Sequence, residues 1–161
     1  LAMAFDIAAI AMAEIGNVSE RRLELLLNPH FSGLPAFLAP KQGLNSGYMA
    51  AQYLSASLVN ENKLLANPSC TDSIPGNVGI EDHVSMGMTS ARKFKKLIGN
   101  VRVILAVEMM VAVQGIDLRG AKKLGKGTRG LYKQVRKDLP KLMKDRIISE
   151  DIQKAVNILI R

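Results

Sequence analysis

At 161 residues the chain is long enough to bury a sizeable core. Hydrophobic residues make up 48%, but aromatics only 4%, and Trp is absent, so the apolar mass is Ala, Leu, Ile, Val and Met. Ala, Leu and Met favour helices and β-branched runs are rare, which argues for an all-α protein over a sandwich or barrel. One cysteine, Cys70, cannot form an internal disulfide. No secretory signal is recognisable, and the apolar run 103–113 is too short for a membrane span and holds Glu108. The expectation is a soluble, cytoplasmic protein with no membrane partner.

The net charge of +8 is concentrated in one place. Residues 119–146 hold eleven Lys and Arg against two acids, Asp138 and Asp145, leaving the rest of the chain close to neutral. Such a stretch can be a footprint for nucleic acid, but it is more often the solvated face of surface helices. No zinc-finger spacing, RNP-like aromatic motif or helix-turn-helix pattern accompanies it, so no nucleic-acid partner is expected.

In chain order, residues 1–27 read as helix, with Phe5, Ala8, Ala9, Met12 and Ile15 at the spacing of one helical face. Gly16-Asn17 suggests a break, after which Ser19 could cap a restart. Asn28-Pro29 ends the helix, because proline disfavours helix at the residue before it. Residues 29–47 carry three prolines and three glycines and form a long irregular connection of the kind that is usually functional or contacts a partner. A second helix spans 48–65, and 69–82 is a loop rich in Ser, Gly, Asn and Pro.

The pattern turns helical again over 84–116, with Ala91, Phe94, Leu97, Ile98, Val101, Ile104 and Leu105 on one side. Such a helix would be roughly 50 Å long, more than a small globule covers alone. Residues 120–130 carry four glycines and read as a loop. Two shorter helices follow, the second over 150–160 with Ser149 as its cap. We divide the chain into a helical core portion, 1–119, and a basic helical segment, 120–161, packed on the same domain.

Glu81-Asp82-His83 is the densest cluster of ionisable groups, at the junction of a Gly-rich loop and the long helix. Adjacent side chains diverge, so the three make a poor metal cage, and no second group stands at ligand spacing; no metal is expected. Acids at a helix start also complement its dipole, a purely structural role. His30 and His83 have no Ser or Cys partner in an elbow-type motif. The glycines of 120–130 lack the Lys-Ser/Thr ending of a phosphate loop. The residues alone describe a helical domain with one suspicious loop.

Six stretches, taken together and in order, resemble the histidine ammonia-lyase branch of the aromatic amino acid lyases. They are AEIGNVSERR (13–22), SGLPAFL (32–38), GLNSGYMAAQ (43–52), VNENKLLANP (59–68), EDHVSMG (81–87) and QGIDLR (114–119). EDHVSMG is the most specific. The resemblance implies a long-helix bundle forming part of a homotetramer, with active sites assembled from several subunits. It implies removal of ammonia from L-histidine, giving trans-urocanate, by an electrophilic methylidene-imidazolone (MIO) made from an Ala-Ser-Gly tripeptide. Glu81 matches the carboxylate that faces the substrate imidazole in histidine-specific members, where phenylalanine-type relatives carry an amide. It is thus the candidate catalytic and substrate-binding residue, with Asp82 and His83 as its support.

Two departures accompany the match. A segment resembling Ser-Ala-Asn-Gln usually precedes the glutamate; here it is Asn77, Val78, Gly79 and Ile80. No Ala-Ser-Gly occurs in the chain, so it is expected to be the C-terminal third of such an enzyme and inactive by itself. The competing readings are a non-catalytic assembly module of the same family and, behind it, a nucleic-acid binder using the basic segment.

Overall fold

The computed structural model describes residues 1–41, 43–120 and 124–160. Among these the regular elements are helices: α1 (Ala2–Leu27), α2 (Pro29–Ser32), α3 (Met49–Leu65), α4 (Gly87–Arg119), α5 (Lys126–Asp138) and α6 (Ile148–Ile160). Single 3₁₀ turns at Ala36–Leu38 and Asn77–Gly79 interrupt the loops. The all-α expectation holds. The chain divides into two compact units, Leu1–Asn17 with Leu58–Val101, and Val18–Ser57 with Arg102–Arg161.

In the first unit, α1 buries Ala2, Asp6, Ala9 and Ala13, a stripe at three-four spacing. Leu97 and Val101 of α4 are likewise buried, and the Phe5 and Phe94 rings meet with centroids 5.8 Å apart. The expected face is therefore rotated: Ile15, placed in the core by periodicity, is exposed. α1 is apolar on more than one side, so periodicity alone does not choose which side is buried.

The second unit is built on Leu23, Leu27, Leu38, Tyr48, Val107 and Met110, joined by Val135 and Leu139 of α5 and Ile158 of α6. Burial pushes the Tyr48 hydroxyl up to about 12. The expected break at Gly16-Asn17 is absent, and α1 is continuous. Ser19 does not cap a restart; it is buried and donates to Glu108 Oε2, which Arg22 grips in a bidentate pair at 2.6 and 2.9 Å. Asn28 ends α1 as expected and accepts from the His30 amide to cap α2.

The QGIDLR stretch is a set of fasteners. Gln114, 1% exposed, exchanges two hydrogen bonds with the backbone of Leu142. Asp117 accepts from the Tyr132 hydroxyl and the Arg136 guanidinium, with Lys141 at 3.3 Å, and Arg119 donates to the Ser32 carbonyl at 2.7 Å. Asp145 receives the amides of Ser46 and Gly47. Part of the basic segment is thus internal ion pairing, completed by Arg146 on Asp151.

α5 begins at Lys126, so Gly127 and Gly130, expected in a loop, lie inside a helix. α6 begins at Ile148, placing Ser149 within it rather than at its cap. The run 103–113 is the middle of the 33-residue α4. α1 and α4 are both long and apolar enough to cross a membrane by length and composition, so length does not exclude a span. In α4 the most apolar stretch is 56% buried against the protein itself.

Candidate functional site

Glu81 stands near the end of the loop joining α3 to α4. Asn67-Pro68 stops α3, and the segment down to Met86 then needs hydrogen-bond partners other than a helix. The first tier comes from α1. Asp6, 3% exposed, accepts the amides of Ser69 at 2.8 Å and Cys70 at 2.7 Å. Lys93 of α4 adds a bond to Ser69 Oγ at 2.8 Å and one to the Asn67 carbonyl.

The second tier is Ser73. Its hydroxyl accepts the Val84 amide at 3.0 Å and donates to the Val84 carbonyl at 3.1 Å, closing the neck of the loop. The third is a backbone pair: Gly76 N–H donates to Glu81 O at 2.7 Å, and Glu81 N–H to Gly76 O at 3.3 Å. Between them the chain turns through Asn77, Val78 and Gly79 at φ 49°, 55° and 84°. Gly79 suits that left-handed region and Asn tolerates it. Val78 does not, at a cost on the order of 1–3 kcal/mol.

Glu81, Asp82 and His83 are all exposed. The hydrogen bonds that shape the loop run through Asp6, Ser73 and the Gly76–Glu81 pair. Among the described residues no group of three or more His, Cys, Asp or Glu is placed to hold a metal ion. His30, the other histidine, is exposed on α2 in the second unit.

The electrostatics favour an ionised Asp6. Burial alone would raise its pKa, but the Cys70 amide and thiol, the Ser90 hydroxyl and the Ser69 amide outweigh that and hold it below the ordinary 3.8. The same contact works in reverse on the thiol: hydrogen bonding to Asp6, burial and the carboxylate's charge push Cys70 up, away from thiolate reactivity. Asp6 belongs to no motif that the sequence displays. The available signal was a lone acid at a three-four position among alanines.

An exposed carboxylate on a braced loop can accept an N–H or pair with a cation. The surrounding fold has close relatives. The model for the family described as aromatic amino acid lyase matches residues 1–137. A histidine ammonia-lyase of Treponema denticola is 51% identical over 160 residues, covering 99% of this chain and 32% of that protein. The crystal structure of histidine ammonia-lyase from Trypanosoma cruzi superposes with a TM-score of 0.96 at 45% identity, covering 99% of this chain and 31% of that one. An ergothionase from Treponema denticola, an ergothioneine-degrading enzyme, matches with a TM-score of 0.93 at 35% identity, covering 99% and 32%. The chain spans about a third of the length of the curated relatives it matches. It belongs to the aromatic amino acid lyase family.

Proposed function

We propose that this chain is the Glu81-bearing part of a histidine ammonia-lyase, whose complete form converts L-histidine to trans-urocanate and ammonia as a homotetramer. The observation that carries the substrate is Glu81 itself, an exposed carboxylate presented on a closed loop. Such a group accepts an imidazole N–H or pairs with an imidazolium; facing a phenyl ring it would lose water without a partner. The fold does not choose the substrate, since the relatives of known structure include an ergothionase. Asp82 and His83, both exposed and next in the chain after Glu81, are assigned to its support by the family resemblance alone.

The MIO electrophile would draw electrons from the bound substrate and so acidify its β-proton. This chain does not build that group. Its two Ser-Gly pairs are committed elsewhere: Ser32 bonds the Asn28 carbonyl and the Leu34 amide, with Gly33 as a left-handed cap. The Ser46 and Gly47 amides are held by Asp145. What this chain contributes is recognition, through a carboxylate that orients the imidazole within hydrogen-bond reach.

The test uses the complete protein with histidine, phenylalanine and tyrosine as separate substrates, followed by ultraviolet absorbance. Urocanate from histidine alone is the expected result; a folded protein yielding no product from any of the three would end this reading. Glu81→Gln should lower histidine turnover efficiency about tenfold to a hundredfold, the worth of a hydrogen bond to a charged group, with folding unchanged.

A further inference from the structure

We propose that Asp6 and Ser73 are positioning residues for Glu81, a two-tier brace that fixes where its loop presents the carboxylate. The inference rests on the reading of Glu81 given above. Its basis is the route of the hydrogen bonds. Asp6 lies on α1, more than sixty residues before Ser69 and Cys70, yet its carboxylate takes both of their amides where the loop leaves α3. Three residues on, Ser73 both accepts from and donates to Val84, which joins the two arms of the loop just beyond Glu81. Glu81 then sits between the neck at Val84 and its own backbone pair with Gly76.

Stability alone does not account for Asp6. It occupies a buried position in a stripe of Ala2, Ala9 and Ala13, where an apolar side chain would avoid the cost of burying a charge. A buried carboxylate with backbone amides as partners supplies location instead, since it holds the loop to one turn of one helix. The tip supports the same conclusion. Val78 is held at φ 55° although its side chain is fully exposed and packs on nothing in this chain. Strain of that kind persists where the surroundings over-determine the backbone, and the brace below is what does so. The exposed acid is thereby pre-organised rather than left on a free arm.

The test compares Ser73→Ala and Asp6→Asn in the complete protein, each alone and combined with Glu81→Gln. Ser73→Ala trims one partly exposed hydroxyl and keeps the proposal testable if Asp6→Asn fails to fold. Each brace variant should lower kcat/KM for histidine about tenfold, mainly through KM. Amides of residues 70–84 should exchange faster while those of α3 do not change. On the Glu81→Gln background the same changes should cost less than about twofold, because the group they position is already gone. Equal losses on both backgrounds would mean a general structural role and overturn the brace. So would wild-type kcat/KM in both brace variants alongside an impaired Glu81→Gln. Wild-type turnover in Glu81→Gln would instead remove Glu81 from recognition, a distinct failure.

Discussion

Asp117 is only 5% exposed at its side chain and faces Arg136, itself 12% exposed. Burial acts to raise its pKa, but the Tyr132 hydroxyl, the Arg136 guanidinium and Lys141 outweigh burial and hold it below 3.8. A carboxyl depressed on folding contributes stability that is fully present above its unfolded value and is lost as pH falls through its folded one. Asp117→Asn should therefore cost about 3 kcal/mol near neutral pH, since it leaves Arg136 without its partner. The deficit should narrow once the medium is more acid than about pH 4. Thermal unfolding of the two proteins across that range checks both statements, and coincident curves at neutral pH would refute the first. Asp117 and Asp6 share a reason for being hard to find in a sequence. Their donors come from other segments of the chain, backbone amides for Asp6 and side chains for Asp117, and a lone acid does not announce which it meets.

The helices themselves were legible wherever length and periodicity agreed. α3 and α4 fall within a few residues of where apolar spacing put them, and proline marks the ends of α1 and α3. Misreadings cluster at glycine. Gly16 did not break α1, and Gly127 and Gly130 did not keep α5 a loop. A glycine inside a helix costs about 1 kcal/mol, which tertiary packing repays easily when the neighbours are buried. In α1 those neighbours are Ala13, Ser19 and Glu20; in α5 the glycines are exposed, and the helix is anchored further along by Val135 and by the bonds of Tyr132 and Arg136 to Asp117. The buried side of α1 was misjudged for a different reason. Small and large apolar residues alternate around its first half, and there the structure buries Ala2, Ala9 and Ala13 and leaves Met3, Ile7 and Ile10 exposed.

Taken whole, the molecule leaves a good deal of apolar surface open. Met3, Ile7 and Ile10 of α1 are 47–65% exposed, and Ile74, Val78 and Ile80 around the Glu81 loop are 60–102% exposed. Exposed apolar patches of this kind mark sites of association. Under the homotetramer proposed above, light scattering on the purified chain at micromolar concentration should find oligomers, and a clean monomer would argue against it. Family membership was readable because six short stretches kept their order. The brace under Glu81 was not readable, because it depends on which turn of α1 meets which residues of a distant loop.

The bonds from Asp145 to Ser46 and Gly47 join residues 99 and 98 positions apart. They close on a place with no slack: a Cβ at Gly47 would stand 2.4 Å from the Phe37 carbonyl, and Phe37 and Leu38 are both left-handed. During synthesis, then, this loop must wait for 99 further residues to emerge before its latch arrives. Asp145→Ala should accordingly let proteases cut near Ser46 and Gly47, where the parent chain resists. If both resist equally, the loop sets on its own and the late aspartate merely follows it.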